Sequence, residues 1–129
     1  MRFVKIIYDK SSYDYDNADS IAMAILGLFL ASDVGYGSEI SIWPSFKDWA
    51  LNDSLGTCLS GNITSLEKKD ENILLTNLYS EEKIPTVLTI SREQFVTLLD
   101  DWEEKVCKLK PKEVTITYDN DQFIMKTKD

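Results

Sequence analysis

From Tyr8 to Asp19 the chain reads Tyr-Asp-Lys-Ser-Ser-Tyr-Asp-Tyr-Asp-Asn-Ala-Asp, with carboxylates and phenols at nearly alternate positions. Carboxylates at this spacing could ligate calcium, carry acid–base catalysis or present negative charge to a basic protein. Calcium fails on position. With Asp14 as the first ligand of an EF-hand loop, the sixth position is Asp19, where glycine makes the turn, and the twelfth is Ile25, where a bidentate Glu is required. Catalysis has little to draw on. The 129 residues include no histidine, so Ser-His-Asp and Cys-His constellations cannot form. Only five glycines exist, and they form neither G-x-G-x-x-G nor a P-loop. Asp100-Asp101 and Glu103-Glu104 are nominal acid–base pairs, but on a helix they fall opposite the Phe95–Trp102 stripe and read as a solvated face. What remains is binding: rigid amphipathic rings among fixed negative charges suit a basic protein surface. The expectation is a protein that is not an enzyme and takes no cofactor or metal.

The charge distribution agrees. With 14 Lys+Arg against 22 Asp+Glu, the net charge is −8. This disfavours nucleic acid and anionic membranes and favours a basic partner or plain solubility. Residues 9–57 hold eight acidic residues against Lys10 and Lys47, a local net of −6, whereas the region from 58 onward alternates in sign. The partner-binding surface is therefore expected on Asp9, Tyr13, Asp14, Tyr15, Asp16 and Asp19, with Tyr36, Glu39, Trp43 and Asp48 as neighbours. The rival reading is that Asp16 and Asp19 merely favour the following helix N-terminus while the tyrosines cover the core edge.

These residues need a scaffold. The length fits one domain over 1–129, and 43% hydrophobic with 28% charged residues is ordinary globular composition. Phe3–Tyr8 is β-rich and opens the chain as a strand. Asp16 or Asn17 can cap a helix over Ser20–Ser32 that ends at Gly35 and is apolar nearly all round, hence central and closely packed. Its apolar run, Ile21–Ala31, is about half a membrane span and lies behind aspartates rather than a basic segment. A cytoplasmic protein without membrane contact is expected. Pro44 precedes a short helix over Ser45–Leu51, and Gly56 and Gly61 bracket a loop holding Cys58. Cys58 and Cys107 lack metal-type spacing and read as idle thiols, with a disulfide left open.

Strands follow at Ile63–Glu67, Ile73–Tyr79 and Pro85–Ile90, forming an antiparallel meander. Ser91-Arg92-Glu93-Gln94 is a capping box, and Ile90 with Phe95 completes a hydrophobic staple. Phe95, Leu98, Leu99, Trp102, Val106 and Leu109 recur on one helical face, and Pro111 stops the helix. Val114–Tyr118 then turns through Asp119-Asn120-Asp121 into Phe123–Met125. The class is α+β: a mainly antiparallel sheet of about five to six strands, two principal helices and one short one.

A resemblance rests on three of these segments. They are Gly61-Asn62-Ile63 opening the meander, Ser91-x-x-x-Phe95-x-x-Leu98-Leu99-x-x-Trp102 as a helix, and Lys110-Pro111-x-x-Val114-x-Ile116-x-x-Asp119 leading into the last hairpin. Over residues 61–129 the chain resembles small immunity proteins of bacterial polymorphic and contact-dependent growth-inhibition toxin systems. The resemblance implies a cytoplasmic protein, monomeric when free, that neutralises one cognate toxin domain, often a nuclease, as a stoichiometric heterodimer. It transfers no binding residue, because binding residues in such proteins vary with the toxin. The alternative is an acidic DNA mimic or general interaction module, which would present carboxylates in a long double row with phosphate-like spacing.

Overall fold

A computed structural model describes residues 2–36 and 43–129. The architecture is α+β, with eight strands in two four-stranded antiparallel sheets, more strands than the five to six expected. β1 (Arg2–Asp9) turns back at once into β2 (Ser12–Ala18). The turn is Lys10-Ser11, with Lys10 at φ 61°. Most of the Tyr/Asp stretch, in which the sequence pattern marks no strand beyond Tyr8, is thus an edge strand. Aspartate is depleted in strands, which hid it, but an edge strand with one face in water tolerates carboxylates and uses them against edge-to-edge pairing.

β7 (Glu113–Asp119) and β8 (Gln122–Lys128) complete the first sheet in the order β2-β1-β7-β8. The two-residue turn Asn120-Asp121 joins them, with both residues at positive φ, as a type I′ hairpin requires. The second sheet is β3 (Cys58–Ser60), β4 (Thr64–Lys69), β5 (Asn72–Asn77) and β6 (Val87–Ser91), in chain order. Cys58 therefore opens a short strand rather than lying in a loop.

α1 (Ile21–Leu28) is capped by Ser20, whose hydroxyl accepts from the Met23 amide; Asp16 and Asn17 lie too far upstream, within β2. α2 (Trp43–Leu51) begins two residues earlier than expected, carrying Pro44 in its first turn, where a missing N–H costs nothing. α3 (Arg92–Trp102) has the expected capping box in full: Ser91 Oγ accepts from Gln94 N at 3.0 Å, and Gln94 Oε1 accepts from Ser91 N at 2.9 Å.

The helices form a layer between the sheets. α1 touches β1 and β2 on one side and β5 and β6 on the other, while α3 touches β8, β5, β6 and α2. Ile25 and Trp102 are buried, as their patterns required, but Ile21 at the start of α1 is 54% exposed. Both long helices end in π-helical turns, Phe29–Val34 and Glu103–Cys107. The second turn carries Leu109 off the expected apolar face, leaving it 68% exposed. No described helix is long and apolar enough to cross a membrane.

Candidate functional site

Register decides which residues of the β1–β2 hairpin face outward. Val4 and Ile6 are fully buried, so Phe3, Lys5 and Ile7 between them point away from the helices. Across the hairpin Asp14 lies opposite Ile7, and Asn17 lies opposite Lys5. A bulge between Lys5 and Ile6 inserts Asp16 beside them, and Lys5 Nζ stands 4.0 Å from its carboxylate. Lys5 is committed elsewhere, 2.9 Å from Glu113 on β7. This pair raises the lysine pKa, first through its hydrogen bond to the Glu113 carboxylate and then through that group's charge. Asp14 and Asp16 thus stand exposed on the edge strand and Asp9 at the end of β1 beside the turn, with Lys5 within 4.0 Å of Asp16.

Tyr8, Tyr13 and Tyr15 all fall on the inner face of the hairpin but differ in how far they are covered. Tyr13, expected as a contact residue, is 1% exposed: it pairs with Tyr8 on the inner face, where its ring meets Trp102 edge-on at 5.9 Å. Its hydroxyl donates to the Pro111 carbonyl, and burial pushes its pKa up to about 12. In the free protein Tyr13 is core, as the rival reading held. Tyr8 and Tyr15 keep 42% and 38% of their surface, and Tyr15 sits opposite Ile6 over Gly27 of α1.

Tyr36 is half-buried and does come to the hairpin. Its ring stacks edge-on against Tyr8 and Tyr13 at 5.9 and 5.0 Å, and its hydroxyl donates to the Ser11 carbonyl. Lys110 lies 4.8 Å over that ring and donates to the Tyr36 carbonyl. The neighbouring Gly35 carbonyl accepts from Trp102 Nε1 at 2.7 Å and lies 3.6 Å from the buried Cys107 Sγ. These bonds fasten the end of the first π-turn to α3 with its π-turn and to the hairpin tip.

The remaining candidates separate. Asp19 is exposed, but its carboxylate accepts from the Phe3 amide at 3.0 Å and so holds the start of β1. Asp48 is exposed on α2, which packs chiefly on α3 rather than on the hairpin. Trp43 opens α2, and Glu39 lies outside the described residues.

Two features escaped sequence reasoning. Asp33, 3% exposed, accepts from the amides of Asn62, Ile63 and Thr64 at 2.8–2.9 Å and from the Thr64 hydroxyl, tying the first π-turn to β4. The other is a loop between β5 and β6 that leaves Tyr79 73% and Ile84 86% exposed, beside the half-exposed Leu78 and Val87. The Glu82 carboxylate accepts from the Thr86 amide and hydroxyl at 3.2 and 3.1 Å, giving this loop internal order. Alternation flagged the flanking strands, but nothing local marked those two side chains as exposed. Among the described residues no group of three or more Cys, Asp or Glu is arranged to hold a metal. Against protein-family models, curated proteins and solved structures, the chain gives no match.

Proposed function

We propose that this chain is a toxin-neutralising immunity protein that binds a cognate bacterial toxin domain one to one in the cytoplasm. The observation that carries the proposal is the set of exposed carboxylates on the β1–β2 hairpin, Asp14 and Asp16 on the edge strand and Asp9 at the end of β1, with the half-exposed rings of Tyr8 and Tyr15 on the hairpin's other face. A nuclease domain is cationic where it holds phosphates. Fixed carboxylates on a rigid hairpin steer such a surface into contact, and exposed tyrosines lengthen the encounter. Inhibition then needs no catalytic group, only occupancy.

A DNA mimic fits less well. Across the same face β8 carries Lys126 and Lys128, so the acids form one edge instead of a double row. One observation favours a broader interaction module: the Glu82-braced loop presents Tyr79 and Ile84, an apolar surface far from phosphate chemistry.

The test is co-expression. The domain encoded directly upstream of this chain's gene is produced in bacteria with and without the chain, and growth and complex stoichiometry are followed. Rescue of growth with a one-to-one complex is expected. A toxic upstream domain whose effect persists in the presence of the folded chain would refute the proposal.

A further inference from the structure

The outer face of the first sheet carries both acids and lysines on a molecule of net charge −8. Its charges are sorted by strand. One row across the sheet runs Asp14, Ile7, Glu113, Lys128; the next runs Asp16 and Asn17, Lys5, Thr115, Lys126; a third runs Phe3, Thr117, Ile124. The acids of β2 lie at one edge and the lysines of β8 at the other. Between them the Lys5–Glu113 pair neutralises itself, and Ile124 is 42% exposed. Lys126 and Lys128 are exposed and make no salt bridge among the described residues. No described helix packs on this face.

We infer that this face binds a second copy of the chain, face to face, about a two-fold axis parallel to the strands and running between β1 and β7. Rotation about such an axis lays the β2 of one copy over the β8 of the other and keeps each row at its own level. Asp14 then meets Lys128 of the second copy, and Asp16 meets its Lys126, each pair occurring twice. Between these pairs Phe3 meets Thr117, Lys5 meets Thr115 and Ile7 meets Glu113 of the second copy, at the spacing of roughly 10 Å usual for stacked sheets.

The contact is small. Four strands spaced about 4.8 Å apart, with a rise of about 3.4 Å per residue, offer roughly 400 Å² per copy. The total, roughly 800 Å², lies below the 1,200–2,000 Å² of stable complexes. The dimer is therefore weak and dissociates on dilution. Asp14 and Asp16 belong both to this dimer and to the surface proposed for a basic partner, so the two assemblies exclude one another. The dimer itself does not depend on that reading.

Analytical ultracentrifugation of the full chain, from low micromolar to near-millimolar concentration, tests the inference without any toxin. The weight-average mass is expected to rise towards that of a dimer. Lys126→Glu with Lys128→Glu, and separately Asp14→Lys with Asp16→Lys, should each weaken self-association by roughly tenfold or more. Circular dichroism should show both variants folded, since all four side chains are exposed. Mixing the two variants should restore the dimer, because every cross pair is then complementary. A wild-type chain that stays monomeric throughout would overturn the inference. So would a mixture that fails to associate, or a dimer indifferent to Asp14→Lys and Asp16→Lys, which would place the contact on a strand edge instead.

Discussion

Asp33 is a buried carboxylate that ties the first π-turn to the start of β4 through four hydrogen bonds. A buried carboxylate survives only when its oxygens are satisfied, and here three amides and a hydroxyl satisfy them. Asp33→Ala should destabilise by about 4 kcal/mol in urea unfolding, since the donors left behind remain buried. Gly61→Ala should also be costly, because a Cβ there would overlap the Asp33 carboxylate. Little of this was legible in the chain. Asp33 reads as one polar residue near a helix end, and its donors lie about thirty positions away. The Ser91 box was legible because both of its bonds span three residues. Tyr13 gives a second residue-scale expectation. Its folded pKa of about 12 lies above the usual phenol value near 10, so the fold favours the protonated form. That stability is fully present below pH about 10 and is lost as the pH climbs towards 12, by roughly 2–3 kcal/mol. Stability measured against pH should show this alkaline limb in the wild type, and Tyr13→Phe should flatten it.

At the scale of elements, the close approach of α1 to the first sheet is the strongest constraint. Ala22, Ala24, Gly27 and Ala31 among larger apolar residues implied a helix pressed against a sheet, and at Gly27 a Cβ would stand 2.6 Å from Val4 Cγ2. Gly27→Ala should therefore destabilise by about 1–3 kcal/mol through overpacking. Adding Val4→Ala should relieve the overlap, so the double variant should lose less than the sum of the two single ones. A purely additive result in chemical unfolding would contradict this packing. The helices and the last two hairpins were readable because period and capping residues lie within each segment. β2 was not, since Asp14, Tyr15 and Asp16 look like a turn until β1 supplies their hydrogen-bonding partner. β3 is three residues long and too short to show a pattern. The same distinction explains the candidate surface. Asp14 points outward, whereas Tyr13 and Tyr15 share the inner face, where Tyr13 is covered by Trp102 and Tyr36 and Tyr15 keeps part of its surface, a difference only the register and the packed helices reveal.

At the scale of the whole molecule, two sheets enclose a helical layer and leave the acidic edge of β2 standing on a rigid frame. Under the proposed function, carboxylates already held on a hairpin would act on an approaching partner with little ordering cost at contact. The lysines of β8 restrict the acidic field to one side of the face, which under the proposed function would give a basic partner an orientation as well as an attraction. The most direct measurement is binding kinetics of the purified upstream-encoded domain to the wild type and to Asp14→Ala, Asp16→Ala and Tyr15→Ala at low and near-physiological salt. Each aspartate variant should associate roughly threefold or more slowly at low salt, with the difference shrinking as salt rises. Tyr15→Ala should instead dissociate faster. Unchanged association and dissociation in all three variants would contradict the assignment of the acidic hairpin as the binding surface.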